Sequence, residues 1–328
     1  MQSLLFALNA VAPIVLMVAI GYFLKRHGFM TESFAKAANK LVFRVFLPCM
    51  LFLNVYKIQD LSGMDFNYVI YVLLATVLAF LIAIPATMSV TKDPRRRGAL
   101  LQSVFRSNYA LIGIPLAQSL FGDDGVAVAT LLSAIIIPVF NVLAVFALSL
   151  FHGGGQKPSP KKILLNIIKN PLIQSIALGL AVLGIRAIFK QTDVSFRLTD
   201  LKSVYAVLGY LSNLSTPMAL LVLGAQFEFS AIRSLRKEIL FGTLMRNVAV
   251  PLLGIGGAYL FFSSAFNGAH FAAFVAVFCT PVAVSSVPMA QEMDSDTALA
   301  GQLVVWTTLV SAVSVFTVSF LLRLAGIF

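Results

Sequence analysis

The stretch Arg106-Ser-Asn-Tyr-Ala-Leu-Ile-Gly-Ile-Pro-Leu-Ala-Gln118 returns, altered, as Thr280-Pro-Val-Ala-Val-Ser-Ser-Val-Pro-Met-Ala-Gln291. Pro115, Ala117 and Gln118 recur as Pro288, Ala290 and Gln291, and Ala110 as Ala283, all at one offset of 173. A proline inside a helix removes a backbone donor and clashes with the preceding turn. Gly113 just before Pro115, and Ser285-Ser286 before Pro288, ease unwinding further. Proline suits the first position of a helix, so each stretch is expected to break and restart at its proline. Two restarted half-helices would then point their N-termini, with free amides and positive dipole ends, at one anion-favouring pocket.

Outward from these stretches, prolines fall one per apolar run. Pro13, Pro48, Pro85 and Pro115 occupy the first four runs, and Pro171, Pro217, Pro251 and Pro288 occupy runs six to nine. Ten runs of spanning length lie near 5–24, 34–56, 67–91, 99–121, 126–151, 166–189, 203–226, 239–262, 270–292 and 298–325. Each approaches the ~20 apolar residues that a membrane helix needs. Five spans per half is an odd number, so a duplicated second half enters the membrane inverted, the plan of secondary transporters. The expected fold is an all-α polytopic membrane protein: ten transmembrane helices, two inverted five-helix repeats, with broken crossover helices 4 and 9. The first repeat covers 1–151, a linker 152–165 and the second repeat 166–328. The linker, His152-Gly-Gly-Gly-Gln-Lys-Pro-Ser-Pro-Lys-Lys162, reads as a flexible polar connection.

Composition agrees. Of 328 residues, 59% are hydrophobic and 11% charged, where soluble domains average about 25% charged. So few charges cannot solvate the outside of a large globule, whereas lipid can cover it. The net charge of +11 sits in short bursts between apolar runs, as orientation signals do, and indicates no nucleic-acid partner. Lys25, Arg26, Lys92, Arg95, Arg96, Arg97, Lys157, Lys161, Lys162, Arg233, Arg236 and Lys237 fall in loops on one side. Lys57, Arg186, Lys190, Arg197, Lys202 and Arg323 fall on the other. Twelve against six places the first set in the cytoplasm and both termini outside. No positive charge precedes the first apolar run, which reads as a spanning helix rather than a cleaved leader. Cys49 and Cys279 both lie in apolar runs, which disfavours a disulfide framework or cysteine metal site.

The segment Asn108…Gly113-Ile-Pro115, Pro171 opening span six, and Ser215-Thr-Pro-Met-Ala-Leu-Leu-Val-Leu-Gly224 in span seven carry a resemblance. Across nearly its full length the chain resembles bacterial members of the auxin efflux carrier family, relatives of the plant auxin exporters. That resemblance implies a crossover fold shared with bile-acid and sodium/proton transporters and an elevator-type mechanism in the bacterial inner membrane. It implies a scaffold of about 1–61 and 166–227, a mobile transport domain of about 66–151 and 239–328, and a homodimer. It implies organic-anion substrates: auxin-like carboxylates, or small dicarboxylates such as malonate and malate. The central loop here is short and lacks phosphorylatable tracts, so loop-based regulation is not expected.

Polar residues inside spans mark sites, because lipid makes them costly. The expected substrate positions are Asn108, Gly113, Ile114, Pro115, Gln118, Asn141, Val284, Ser285, Ser286, Pro288 and Gln291. Asn108 is favoured to donate its amide to a substrate carboxylate, and Asn141 either does so or satisfies opened backbone. Gln118 and Gln291 either line the pocket or bond between helices. Arg106 and Arg246 lie about 10–12 Å inside their spans, where they either anchor structure or attract an anion. Arg44 reads as interfacial or interhelical. Glycines such as Gly179, Gly184 and Gly254 to Gly257 read as allowing close helix packing.

All thirteen acids sit in loops or at span ends, so no deep carboxylate is available to relay protons. Glu292 is the nearest one for a coupling ion. Sodium could find oxygens on Glu292, Gln291, Asn108 and nearby carbonyls; no other cofactor is expected. His27, His152 and His270 do not cluster, and no phosphate-binding glycine loop appears, which excludes an enzyme site or an ATP-driven pump on motif grounds. The expected function is a secondary transporter or facilitator of a small organic anion, driven by the membrane potential. A sodium-coupled symporter, an anion channel and a receptor are the alternatives.

Overall fold

The computed structural model describes residues 2–58, 65–151, 160–191 and 196–328, with side chains from Ala12 onward except at 162, 187, 190 and 191. Residues 152–159 of the expected linker lie outside the described residues. Among the described residues twelve helices carry the fold: α1 (Gln2–Arg26), α2 (Glu32–Tyr56), α3 (Phe66–Val90), α4 (Pro94–Phe105), α5 (Tyr109–Leu150) and α6 (Pro160–Lys169). The rest are α7 (Pro171–Gln191), α8 (Lys202–Ala225), α9 (Arg236–Phe262), α10 (Gly268–Phe278), α11 (Ser286–Glu292) and α12 (Thr297–Leu324). The described residues contain no β-strand beyond one isolated bridge.

Among the described residues six helices are long and apolar enough to cross a membrane: α2, α3, α5, α8, α9 and α12. The pair Ile163–Lys169 and Pro171–Arg186, bent by 61°, makes a seventh. The expected ten runs and these helices differ because runs four and nine are interrupted and α1, which covers run one, is not among the six. Run four becomes α4, a break and the start of α5. Run nine becomes α10, a break and α11. Runs four and five share α5, which folds back at Phe121–Gly122, where Gly122 takes φ 59°. The fold-back is evident from contacts: Tyr109 Oη donates to the Ala129 carbonyl at 2.8 Å. In a straight helix those residues would lie about 30 Å apart.

Two groups of helices pack mainly within themselves, with α1 against α12 as the main contact between them. The first joins α1, α2, α7 and α8; the second joins α3, α4, α5 and α9 to α12. In the first group α1 and α8 meet backbone to backbone at Gly21 and Gly224, where any Cβ would overlap the Leu221 and Val18 carbonyls. Gly179 against Val55 and Gly254 against Phe278 are similarly tight, whereas Gly184 and Gly256 face open space. In the second group α10 is the hub: its Phe271 to Phe278 run is at most 2% exposed. That follows from its sequence, apolar on every face, which is stable only when surrounded. By contrast α3 presents Ile70, Leu74, Leu78, Leu81 and Ile82 outward. Such a stripe is an interface for hydrocarbon or protein, not for water.

The two ends of the bundle differ in charge. At one end Arg96 pairs with Glu238 at 3.0 Å and Asp296 at 3.5 Å, and Arg95 with Asp294 at 3.2 Å. With Lys92 and Arg97 at the start of α4 and Arg236 and Lys237 at the start of α9, this is the basic end. At the other, Phe121 packs on Phe328, and Tyr68 on His270.

Candidate functional site: the paired helix breaks

The first break is Arg106-Ser107-Asn108, between α4 and α5; the second is Cys279 to Ser285, between α10 and α11. The first does not fall at Pro115, as expected. It comes seven residues earlier, and Pro115 lies just beyond a π-helical first turn, Tyr109–Gly113. The cause is the partner segment. Asn108 donates its backbone N–H to the Pro281 carbonyl at 2.8 Å, and Ala283 donates to the Arg106 carbonyl at 3.4 Å. Ser107 and Val282 thus form an antiparallel bridge, which replaces the helical bonds lost on unwinding. Pro281 offers only a carbonyl, which suits an acceptor position.

Side chains finish the exchange. Thr280 Oγ1 donates to the Ala276 carbonyl at 2.8 Å, so Ser107 Oγ donates to Thr280 Oγ1 at 2.7 Å. Val282 donates its N–H to Thr307 Oγ1 at 3.1 Å. Ser107 and Thr280 are 173 positions apart, the separation of Pro115 and Pro288.

Two buried arginines flank the breaks and do different work. Arg246, fully buried in a π-helical turn of α9, donates to the Thr280, Val104, Phe105 and Val277 carbonyls at 2.7–3.3 Å. These carbonyls end α4 and α10, and each helix C-terminus carries about −0.5 charge. Two such ends balance one guanidinium. Arg246 lines neither cavity described below; it braces both breaks.

Arg106 is 3% exposed. Its Nη2 donates to Asn141 Oδ1 at 2.8 Å and Ser285 Oγ at 2.9 Å, and its Nη1 to Met289 Sδ at 2.7 Å and Ser286 Oγ at 3.5 Å. Every acceptor is neutral. None of the ion pairs among the described residues includes Arg106. Beside it the Asn108 amide Nδ2 is buried without an acceptor.

Arg106, Asn108, Asn141 and Ser285 line a recess of about 60 Å³. The recess shares Asn54, Ala110 and Ile137 with a cavity of about 530 Å³, whose wall also holds Lys57, Ile114, Thr130 and Ser133. A cavity of roughly 300–1,000 Å³ with few polar groups is the usual size for a small molecule. The first-turn amides of α5, which helical geometry leaves without intrahelical acceptors, begin at Tyr109, and Ala110 lines both spaces. Recess and cavity together offer one cation, amide donors and hydroxyls at the floor, apolar walls, and a second cation at Lys57.

The remaining expected positions separate. Gly113 is buried, and a Cβ there would press on the Ala276 carbonyl at 2.9 Å, so it sets helix approach. Pro115 and Gln118 are exposed and line neither space, because the break lies upstream of the proline and that part of α5 is turned away. Val284 and Pro288 are buried in packing around α11. Gln291 Oε1 accepts from Gln226 Nε2 at 3.1 Å, and Glu292 sits 3.7 Å from Arg44 Nε. Neither lines the cavities, so the oxygens suggested for sodium are not gathered with Asn108 in either space. The described residues contain no group of three or more His, Cys, Asp or Glu able to hold a metal. Asn54 was not among the expected positions. Its signal, an amide within an apolar run, is the one that marks Asn108 and Asn141. Lys57 was read only as a loop charge.

A profile of the membrane transport protein family matches residues 6–319. An uncharacterised transporter of Methanothermobacter thermautotrophicus is 26% identical over 313 residues, 93% of this chain and 95% of its own. One from Methanocaldococcus jannaschii is 27% identical, over 69% of this chain and 70% of its own. The uncharacterised transporter YfdV of Escherichia coli K12 is 25% identical, over 76% of this chain and 77% of its own.

Proposed function

The chain belongs to the membrane transport protein family, which includes the auxin efflux carriers, and from that premise we propose that it carries a small organic anion bound at Arg106. One observation carries the reading: a buried guanidinium whose partners are all neutral, at the floor of a cavity. A buried charge without a counter-charge is costly, and a bound carboxylate supplies one. Asn108 Nδ2, lacking an acceptor, is a second donor for the same group. The apolar walls accommodate the body of a carboxylate, and Lys57 favours a second negative group near the mouth.

On this reading the ten runs are ten spans in two inverted repeats, and the paired breaks are their crossover. The Ser107–Thr280 contact supports it, since equivalent residues meet where a two-fold axis passes. The α1, α2, α7 and α8 group is the scaffold, the other group the moving transport domain, and the basic end faces the cytoplasm. The elevator motion and a homodimer complete the proposal. With no deep carboxylate, potential suffices as driver: it supplies about 2.3 kcal/mol per charge per 100 mV, and inside-negative polarity pushes an anion outward.

Two measurements test this. In proteoliposomes, saturable flux of malonate, malate or indole-3-acetate is expected to follow an imposed potential without sodium. Flux that needs a sodium gradient at zero potential would replace uniport with symport, and flux without saturation or counterflow would indicate a channel. Asn108→Ala is expected to weaken ligand-induced thermal stabilisation about ten- to 100-fold in affinity, as loss of a hydrogen bond to a charged group does. Its melting midpoint should not fall, because the amide has no partner to lose. Unchanged affinity would remove Asn108 from the site.

A further inference from the structure

The cavity and its recess open one end of the boundary between the two helix groups: Asn54, Lys57 and Ile58 of the α2 region face Ala110, Ile114 and Ser133 of α5. Lys57 lies 13 residues beyond Arg44, about 20 Å along α2. At Arg44's level, toward the basic end, the same boundary is bridged instead. Three consecutive residues at the end of α11 each meet a different helix of the first group. Gln291 accepts from Gln226, just after α8, at 3.1 Å. Glu292 pairs with Arg44 of α2 at 3.7 Å. Met293 Sδ accepts from Asn170 Nδ2, just before α7, at 3.6 Å.

The α11 end is itself tied firmly to its own group. Asp294 turns the chain with φ 54°, Ser295 Oγ donates to the Arg95 carbonyl at 2.6 Å, and Asp296 donates its N–H to the same carbonyl at 3.1 Å. The turn therefore moves with α4 and the breaks. Its bonds to the other group are of the separable kind: an ion pair whose Arg44 side is 62% exposed, one amide pair and one amide–thioether contact.

We propose that Gln291, Glu292 and Met293 are a latch that closes the basic end of the anion pathway while the Lys57 end stands open. Its release by Gln226, Arg44 and Asn170 is then a required step of transport. The inference rests on reading the Arg106 recess as part of a transport pathway. Each such contact biases an equilibrium by up to about fivefold. Together they hold the latch closed yet leave it breakable.

The test uses a reporter cysteine and no substrate. Ser133→Cys, in a chain with Cys49→Ala and Cys279→Ala, is labelled by a membrane-impermeant maleimide in sealed vesicles of either orientation. In the parent, labelling comes from the Lys57 side. Glu292→Gln, Arg44→Glu and Gln291→Ala are each expected to raise labelling from the basic side about two- to fivefold. The charge exchange Arg44→Glu with Glu292→Arg should restore the parent pattern. Should a charge variant not fold, Gln226→Ala, which leaves both charges in place, carries the same expectation. Folded variants labelled from each side as the parent is would overturn the latch. Anion binding by the parent, followed separately by thermal shift, tells that outcome apart from failure of the Arg106 reading.

Discussion

Arg106→Gln is expected to abolish anion-induced stabilisation, with affinity falling at least about 100-fold, while the melting midpoint of the ligand-free protein stays level or rises. The size follows from losing two charge-assisted hydrogen bonds at about 1.5–3 kcal/mol each, with 1.4 kcal/mol per tenfold. The sign on stability follows from burial. Arg106 keeps a positive charge out of water against only Asn141, Ser285, Ser286 and Met289, none of them charged. Removing such a charge relieves desolvation, and the neutral acceptors left behind border a recess that water can enter. Sites that trade stability for binding commonly behave this way. Thermal melts of wild type and variant, with and without carboxylates, check both halves. A midpoint several degrees lower with unchanged affinity would make Arg106 a structural residue.

Arg246→Gln is expected to do the reverse. Four carbonyls at the ends of α4 and α10 lose their shared donor, all of them buried away from water. Each buried carbonyl left without a donor costs about 1–3 kcal/mol, so the four together cost at least about 4 kcal/mol. Against a total stability of about 5–15 kcal/mol, that is enough to prevent accumulation of folded protein. Arg246→Lys should recover only part, since one ammonium cannot reach carbonyls spread over two helix ends. Yield of monodisperse protein and its melting midpoint in detergent measure this. A normally stable Arg246→Gln would show that the breaks stand without their brace. Two arginines buried alike are thus distinguished by what faces them: helix C-termini in one case, neutral side chains lining a recess in the other.

That distinction was not legible in the chain. Each arginine reads as a basic residue some turns into an apolar run, open to anchoring or to anion attraction. The difference lies in which carbonyls and hydroxyls converge on it from elements up to 183 positions away. The same holds for Gln118 and Gln291, matched in the repeat yet placed apart, one exposed and one bonded to Gln226. Glu292 was the nearest acid for a coupling ion by sequence; Arg44, 248 positions earlier, occupies it.

What the sequence determined by itself was the class of molecule, an all-helical chain with several membrane-crossing segments. Hydropathy sets which segments must be helical, because a backbone in hydrocarbon has to satisfy its own hydrogen bonds. Family membership and two unwound segments near Pro115 and Pro288 were legible in the same way, as local properties of neighbouring residues. Where the first break falls was decided only by the tertiary structure. A proline weakens a helix around itself, but the chain opens where another segment offers replacement bonds, and Pro281 and Ala283 offer them to Arg106-Ser107-Asn108. The burial of Arg106 and the place of Asn54 in the cavity wall were decided likewise. A buried charge, an unpartnered amide and a cavity are properties of surroundings, and surroundings exist only once distant segments meet.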